Sequence, residues 1–171
     1  MKKKKGRKKG STYRKIARPK IRVAPDSVLT TVCTEISLEE IPENIEHIIR
    51  DMMNIVTNNK QAAGLAANQV GYDRRIILIK DKVDDWLVMI NPKIVEVGEK
   101  KKLLREGCLS YPGRIKPVSR YTEIEVKYWT INPQEKVEFW SNETFTDTQV
   151  RVIQHEIDHL DGQCKIGMGD F

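Results

Sequence analysis

Two histidines, His155 and His159, stand four residues apart in the segment HEIDH. We predict a helix over residues 146–160, and on a helix this spacing places both imidazoles on one face, where they can reach a single ion. Glu156 is offset around the helix, so its carboxylate can address a metal's open position instead of occupying it. The pattern therefore predicts that this helix carries a metal site, although the same residues can also form an ordinary polar helix face.

The third ligand of such a site is not fixed by the helix. Catalytic metal sites commonly have three protein ligands and one exchangeable position. The pattern HExxHxxGxxH fits at Gly162, but Lys165 stands where its last histidine would be, and an ammonium group cannot replace an imidazole. A pattern with a downstream glutamate also fails, because none of the twelve residues after His159 is a glutamate. The third ligand therefore lies upstream or is Cys164.

The remaining sequence predicts a mixture of helix and strand. Residues 41–59 carry apolar side chains on one helical face, with Pro42 suited to the first turn. Thr146 or Asp147 suits the cap of the last helix, and Gly162 stands just past its end. Runs rich in β-branched and aromatic residues predict strands at residues 74–80, 86–90, 94–97, 121–130 and 136–140.

Two Asn-Pro pairs lie between these predicted strands. Asn91-Pro92 predicts a break between neighbouring strands, and Asn132-Pro133 predicts a turn. Cys108 lies in EGCLSYPG, residues 106–113, between strand-like stretches, so it is expected on or beside extended chain. The predicted fold class is α+β, with antiparallel or mixed β-sheets around a central C-terminal helix that carries HExxH.

Charge divides the chain into two parts. Residues 1–22 hold twelve Lys and Arg and no acid, which leaves 18 basic against 24 acidic residues, or about −6, for the remainder. A like-charged block of this kind is typical of a disordered, solvated arm, and it can also attract RNA. We predict an arm over residues 1–20 and a single domain over residues 21–171, a length that can bury one core.

The sequence also argues for a cytoplasmic protein without a membrane partner. No window approaches the ~20 consecutive apolar residues that cross a bilayer. The basic start is not followed by the apolar segment of a secretory signal. Three cysteines form neither an even set nor a CxxC pair, which favours reduced thiols.

Three separated segments resemble the signature motifs of the peptide deformylase family: GLAANQ (64–69), EGCLS (106–110) and QHEIDHLDG (154–162). They occur in the family's order and with similar spacing, and the likeness extends from about Ile21 to about Lys165. The chain resembles the short forms of the family, including those carried by phages. This resemblance implies that Cys108 joins His155 and His159 as the third metal ligand.

The resemblance implies the activity as well. Deformylases hydrolyse the formyl amide on the N-terminal methionine of new polypeptides, so the expected partners are N-formyl-methionyl nascent peptides. Glu156 would act as general acid/base, and the Gln69 amide and the Leu109 N–H would hold the oxyanion. The expected cofactor is one divalent metal ion. The family favours Fe(II), while Zn, Ni or Co would tolerate the same ligands.

The resemblance also assigns roles to residues around the metal ligands, by their position in the motifs. Glu106 resembles the family's carboxylate behind the ligands and is expected to pair with Arg120. The expected substrate-binding residues are Gly64, Ala63, Leu104, Glu106, Thr148 and Val152. Three positions depart from the family pattern: Ala62 replaces a glycine, Asn68 replaces a proline, and Thr148 stands where an apolar residue is usual.

Two other functions remain open from the sequence. The chain could be a nucleic-acid-binding module whose metal only stabilises the fold, although such a closed site prefers four protein ligands and needs neither Glu156 nor Gln69. It could also be a metal-dependent endopeptidase, which keeps the chemistry and changes the substrate.

Overall fold

The computed structural model describes residues 19–37, 39, 45–81, 85–131 and 137–168. The predicted arm therefore lies outside the described residues except for its last two positions. Pro42 and the turn at Asn132-Pro133 lie outside them as well. Within this part, the helices are α1 (Glu46–Thr57) and α2 (Asp147–Leu160), and the strands are β1 (Gly64–Ala66), β2 (Ile76–Lys80), β3 (Trp86–Val97), β4 (Lys101–Gly107), β5 (Ile115–Tyr121), β6 (Ile124–Ile131) and β7 (Val137–Phe145).

The strands form two antiparallel sheets. One has five strands in the order β1-β2-β3-β6-β7, and the other is the β4-β5 hairpin. The predicted α+β class with antiparallel sheets is confirmed. Within the described residues, no helix is long and apolar enough to cross a membrane.

The predicted break at Asn91-Pro92 is wrong, because β3 runs through it as one strand. Asn91 adopts a left-handed conformation with φ of 50°, and the pairing with β6 shifts register between Ile90 and Lys93. The Asn91 side chain accepts a hydrogen bond from the Ile36 N–H (2.9 Å) and donates one to the Ile36 carbonyl (2.7 Å). The pair therefore makes a bulge, which bends the strand without ending it.

The two faces of the five-stranded sheet are covered by different helices. Alternate residues of β2 point to opposite faces. Ile76 and Leu78 share a buried cluster with the apolar face of α1, whereas Ile77 and Ile79 share one with α2. The α2 side of that cluster consists of Val150, Ile153, Ile157 and Leu160. Burying each such side chain contributes roughly 1.5–3 kcal/mol, so α2 is held firmly on the sheet.

Candidate metal centre

The histidines of HEIDH lie on α2, which begins at Asp147 after Thr146, as predicted. His155 and His159 are both buried, and their ring centroids are 5.2 Å apart. Their helical spacing places them together, while the apolar residues of α2 hold the opposite side of the helix on the sheet. Two imidazoles consequently meet in one buried region.

Cys108 reaches the same region from the other sheet. It directly follows β4 in non-helical chain, as predicted, and its carbonyl accepts a hydrogen bond from the Tyr111 N–H at 3.1 Å. Its Sγ lies 3.1 Å from Nε2 of His159. A fourth residue, Cys164, belongs to the cluster, and the ligand atoms of Cys108, His155, His159 and Cys164 all lie within 4.8 Å of one another.

The two cysteines of this cluster are electrostatically linked. The hydrogen bond between them raises the pKa of Cys108 and lowers the pKa of Cys164, while burial raises both. A hydrogen bond with His159 lowers the pKa of Cys164 further. Sulfur binds a metal as the thiolate, and both thiols lie beside the two imidazoles.

Glu106 orients His155 from behind. Its Oε2 lies 3.1 Å from Nδ1 of His155, which leaves Nε2 for a metal. Burial lowers the pKa of His155, but the hydrogen bond to Glu106 and the charge of Glu156 outweigh it and raise the pKa. The predicted pair with Arg120 is present, since Nε and Nη2 each donate to Glu106 at 2.9 Å.

Glu156 lies beside the two imidazoles of His155 and His159. Its side chain is buried, and Oε2 has no hydrogen-bond partner among the described residues. Burial raises the pKa of Glu156, although the nearby His155 and His159 lower it in part. Gly64 allows this placement, because a Cβ there would lie 2.7 Å from Oε1 of Glu156 and 2.6 Å from Val152.

Gln69 presents its amide to the same region. Its Oε1 accepts a hydrogen bond from the Ala66 N–H at 2.9 Å, which fixes the direction of the side chain. Nε2 consequently points to the cluster, donating to Ser110 Oγ at 3.1 Å and lying 3.7 Å from Cys108 Sγ. A hydrogen-bond donor held in this way is suited to stabilise negative charge that develops on a substrate oxygen.

These residues open onto a cavity of about 560 Å³. The predicted site residues that line it are Ala63, Gly64, Gln69, Glu106, Cys108, Leu109, Val152, His155 and Glu156. His159 is fully buried behind it. Leu104 and Thr148 do not line it: both are exposed, on β4 and on the first turn of α2. Their prediction relied on motif position alone, which does not fix which way a side chain faces.

The sequence matches the polypeptide deformylase family over residues 19–167. The chain belongs to this family. The peptide deformylase of Natranaerobius thermophilus is 35% identical over 84% of this chain and 86% of its own length. That of Finegoldia magna is 37% identical over 83% of each.

Solved deformylases share the fold. The peptide deformylase of Legionella pneumophila superposes with a TM-score of 0.74 at 30% identity, covering 90% of this chain and 87% of that one. The Acinetobacter baumannii enzyme with bound Met-Ala-Ser gives 0.70 at 27% identity, covering 84% and 93%. The chain is therefore a metal-dependent hydrolase that removes the N-terminal formyl group of new polypeptides.

One departure from the deformylase pattern, Asn68, makes contacts that a proline could not. Its side chain is fully buried, and Nδ2 donates to the His159 carbonyl at 2.6 Å. The first motif is thereby tied to the end of α2. Arg151 is a second residue that the motifs did not indicate: it lines the cavity and also pairs with Glu106.

Replacing Glu106 with glutamine should destabilise the fold by about 1.5–3 kcal/mol, because the buried Arg120 guanidinium would lose its bidentate partner and keep only its ion pair with Asp158. Chelator-treated protein is unfolded in urea to separate this effect from metal affinity. The control is Asp161→Asn, which removes the more exposed Arg75–Asp161 pair and should cost no more than about 1 kcal/mol.

The Glu106–Arg120 ion pair also makes the stability of the fold depend on pH. Burial raises the pKa of Glu106, but hydrogen bonds from His155 and Arg120 outweigh it and lower the pKa from 4.5 to about 2. A lowered pKa stabilises the fold above the unfolded value, and this stability is lost as pH falls from about 4.5 to about 2. The Glu106→Gln variant should lack this component. If Glu106→Gln and Asp161→Asn lost the same free energy of unfolding, the stabilising role assigned to the Glu106–Arg120 pair would be contradicted.

Proposed function

We propose that Cys108, His155 and His159 hold the metal ion and that Glu156 transfers the proton during hydrolysis of the formyl amide. The observation that carries the proposal is the buried Oε2 of Glu156, which has no hydrogen-bond partner in the described part of the chain and lies beside a cluster of thiol and imidazole groups. This donor set suits a divalent cation of borderline softness. α2 is then the central scaffold of the site.

A divalent cation at this cluster would supply Lewis-acid chemistry and a lowered pKa for water, from 15.7 to roughly 7. Residues of the chain transfer the proton and bind the oxyanion. Glu156 accepts the proton of the attacking water and returns it to the departing amine, a role favoured by its raised pKa. The Gln69 Nε2 and the Leu109 N–H donate to the developing oxyanion.

The cavity suits a short formylated peptide. Val152 and Glu156 pack so closely against Gly64 that a Cβ there would clash with both. We infer that this close packing favours a formyl group over a larger acyl group. Ala63, Val152 and Ile115 supply apolar lining for the methionine side chain. Leu104 and Thr148 have no part in this proposal, because they lie outside the cavity lining.

The test is formate release from formyl-Met-Ala-Ser by metal-loaded protein, with acetyl-Met-Ala-Ser as the matched substrate. We expect rapid release of formate and little hydrolysis of the acetyl peptide. Comparable hydrolysis of both peptides would contradict the proposed formyl site. Iron is the favoured metal by family resemblance, with zinc, nickel or cobalt as substitutes, so loading is carried out anaerobically.

The basic segment gives a proposal of its own. Its positive charge adjoins a body of about −6, which RNA would otherwise repel. We propose that residues 1–22 concentrate the enzyme at the ribosome, where formylated chains emerge. A cytoplasmic location agrees with this and with the free cysteines.

Deleting residues 2–18 should leave turnover of a short formyl peptide nearly unchanged and reduce co-sedimentation with ribosomes at low salt. Replacing the Lys and Arg of this segment with Gln, at constant length, should have the same effect, because each neutralised phosphate releases counterion. Binding of the intact chain should fall steeply with salt. Equal co-sedimentation of all three forms would refute ribosome attraction.

A further inference from the structure

Residues 100–120, here called the basic hairpin, include nearly all of β4 and β5 and carry an excess of positive charge. They hold seven of the 18 Lys and Arg that follow residue 22 and one of the 24 acids, a net charge of +6. The rest of the chain after residue 22 holds 11 basic against 23 acidic residues, or −12. The one acid of the basic hairpin, Glu106, is buried and paired with Arg120 and Arg151. The hairpin therefore exposes positive charge on a body that is otherwise acidic.

Arg114 brings this positive charge to the wall of the cavity. It is exposed and belongs to the cavity lining. The next residue, Ile115, is the β5 partner of Gly107, which directly precedes Cys108. The backbone of Arg114 consequently lies close to the chain that supplies a proposed metal ligand.

The guanidinium of Arg114 has no carboxylate partner in the described part of the chain. Its Cζ lies 6.0 Å from the centroid of the Tyr111 ring, at the outer limit of a cation–π contact. Arg151, which also lines the cavity, differs because it pairs with Glu106 and donates to the Lys102 carbonyl. Arg114 thus keeps the N–H donors that can hold a carboxylate in a bidentate pair.

We propose that Arg114 selects formylated peptides that carry an acidic side chain in one of the two positions after methionine. The inference rests on the proposed function, because it places the formyl group at the metal cluster. A cavity of about 560 Å³ is of the size that binds ligands longer than one residue. An extended peptide advances about 3.3 Å per residue, so these two positions lie within reach of a long side chain rooted beside Gly107. The other charges of the basic hairpin attract the same peptides from a greater distance.

Formate release from matched peptides tests this selectivity on the unmodified, metal-loaded chain. The acidic peptides are the amides of formyl-Met-Glu-Ser and formyl-Met-Ala-Glu, and Gln replaces Glu in their neutral partners. For at least one of the two positions, kcat/KM should be about 3–10-fold higher with Glu at low salt. The difference should lie in KM, because the charge is remote from the reacting bond, and it should largely vanish at about 1 M salt. Equal kcat/KM for acidic and neutral peptides at low salt would overturn the inference, and it is the result expected if the basic hairpin contacts RNA instead.

Charge reversal gives an independent test. In Arg114→Glu the preference should invert, so that peptides with Lys are hydrolysed faster than those with Gln, and those with Glu more slowly. A merely structural role would not exchange one preference for the other. Arg50→Glu is the matched control, because it makes the same change at an exposed position on α1 outside the cavity lining. It should keep the acidic preference. An acidic preference that persisted in Arg114→Glu would also overturn the inference.

Hydrolysis of the neutral peptides reports on the proposed function separately. Formate release from formyl-Met-Ala-Gln amide without any acidic preference would refute the role of Arg114 and leave the proposed function standing. No formate release from any of the peptides at full metal occupancy would refute the proposed function, and the inference with it.

Discussion

Replacing Glu156 with glutamine should lower formate release by about 10²–10⁴-fold while the protein keeps its metal. Glutamine preserves the shape of the side chain, so the helix and the ligands on either side of it should stay in place. It cannot accept a proton from water or return one to the departing amine, and positioned proton transfer contributes a factor of this size. Formate release is measured per bound metal ion, so that loss of metal cannot imitate loss of chemistry.

The control for this variant is Glu99→Gln, which makes the same chemical change at an exposed position in the turn between β3 and β4. It should retain wild-type turnover. A metal-loaded Glu156→Gln protein that also turned over at nearly the wild-type rate would show that another group moves the proton.

Replacing Cys108 with serine should give the largest loss of metal. An alcohol is a much poorer ligand than a thiolate for a borderline ion. The affinity should therefore fall by more than the roughly 10–100-fold that follows the loss of a ligand's hydrogen-bonding partner. Metal content after dialysis against a chelator is the measurement, and activity should fall with it.

Cys33→Ser is the control for this change, because Cys33 is a buried free cysteine that lies outside the metal cluster. It should keep its metal even if the serine costs some stability. Full metal content in the Cys108→Ser protein would identify Cys164 as the principal thiolate instead.

Local features of the fold could be predicted from the sequence, whereas contacts between distant segments could not. The helix that carries HEIDH depends on its own caps and spacing, and its bounds were predicted within one residue. The continuity of β3 depends on the bonds between Asn91 and Ile36, fifty-five residues earlier. No local pattern reveals such a partner, so the Asn-Pro pair indicated a break.

The same distinction applies to the site. Spacing on one helix brings His155 and His159 together, and this could be recognised from the sequence. Membership of Cys164 in the cluster depends on a chain reversal that needs both Gly162 and the space beside Thr30. The contacts of Arg151 and Asn68 were not predicted for a similar reason, because their partners come from other segments. The Gly162 position and the cysteine two residues later were the available signal.

Titration of metal-free protein tests whether deformylation requires the metal held at the HEIDH cluster. Metal is added anaerobically in steps, and bound ion per chain and formate release from formyl-Met-Ala-Ser are measured on each sample. Formate release should rise in proportion to bound ion, reach its maximum at one equivalent, and be lowered about 10²–10⁴-fold in Glu156→Gln at equal occupancy. Formate release that is independent of bound metal, or that needs a second equivalent, would contradict it.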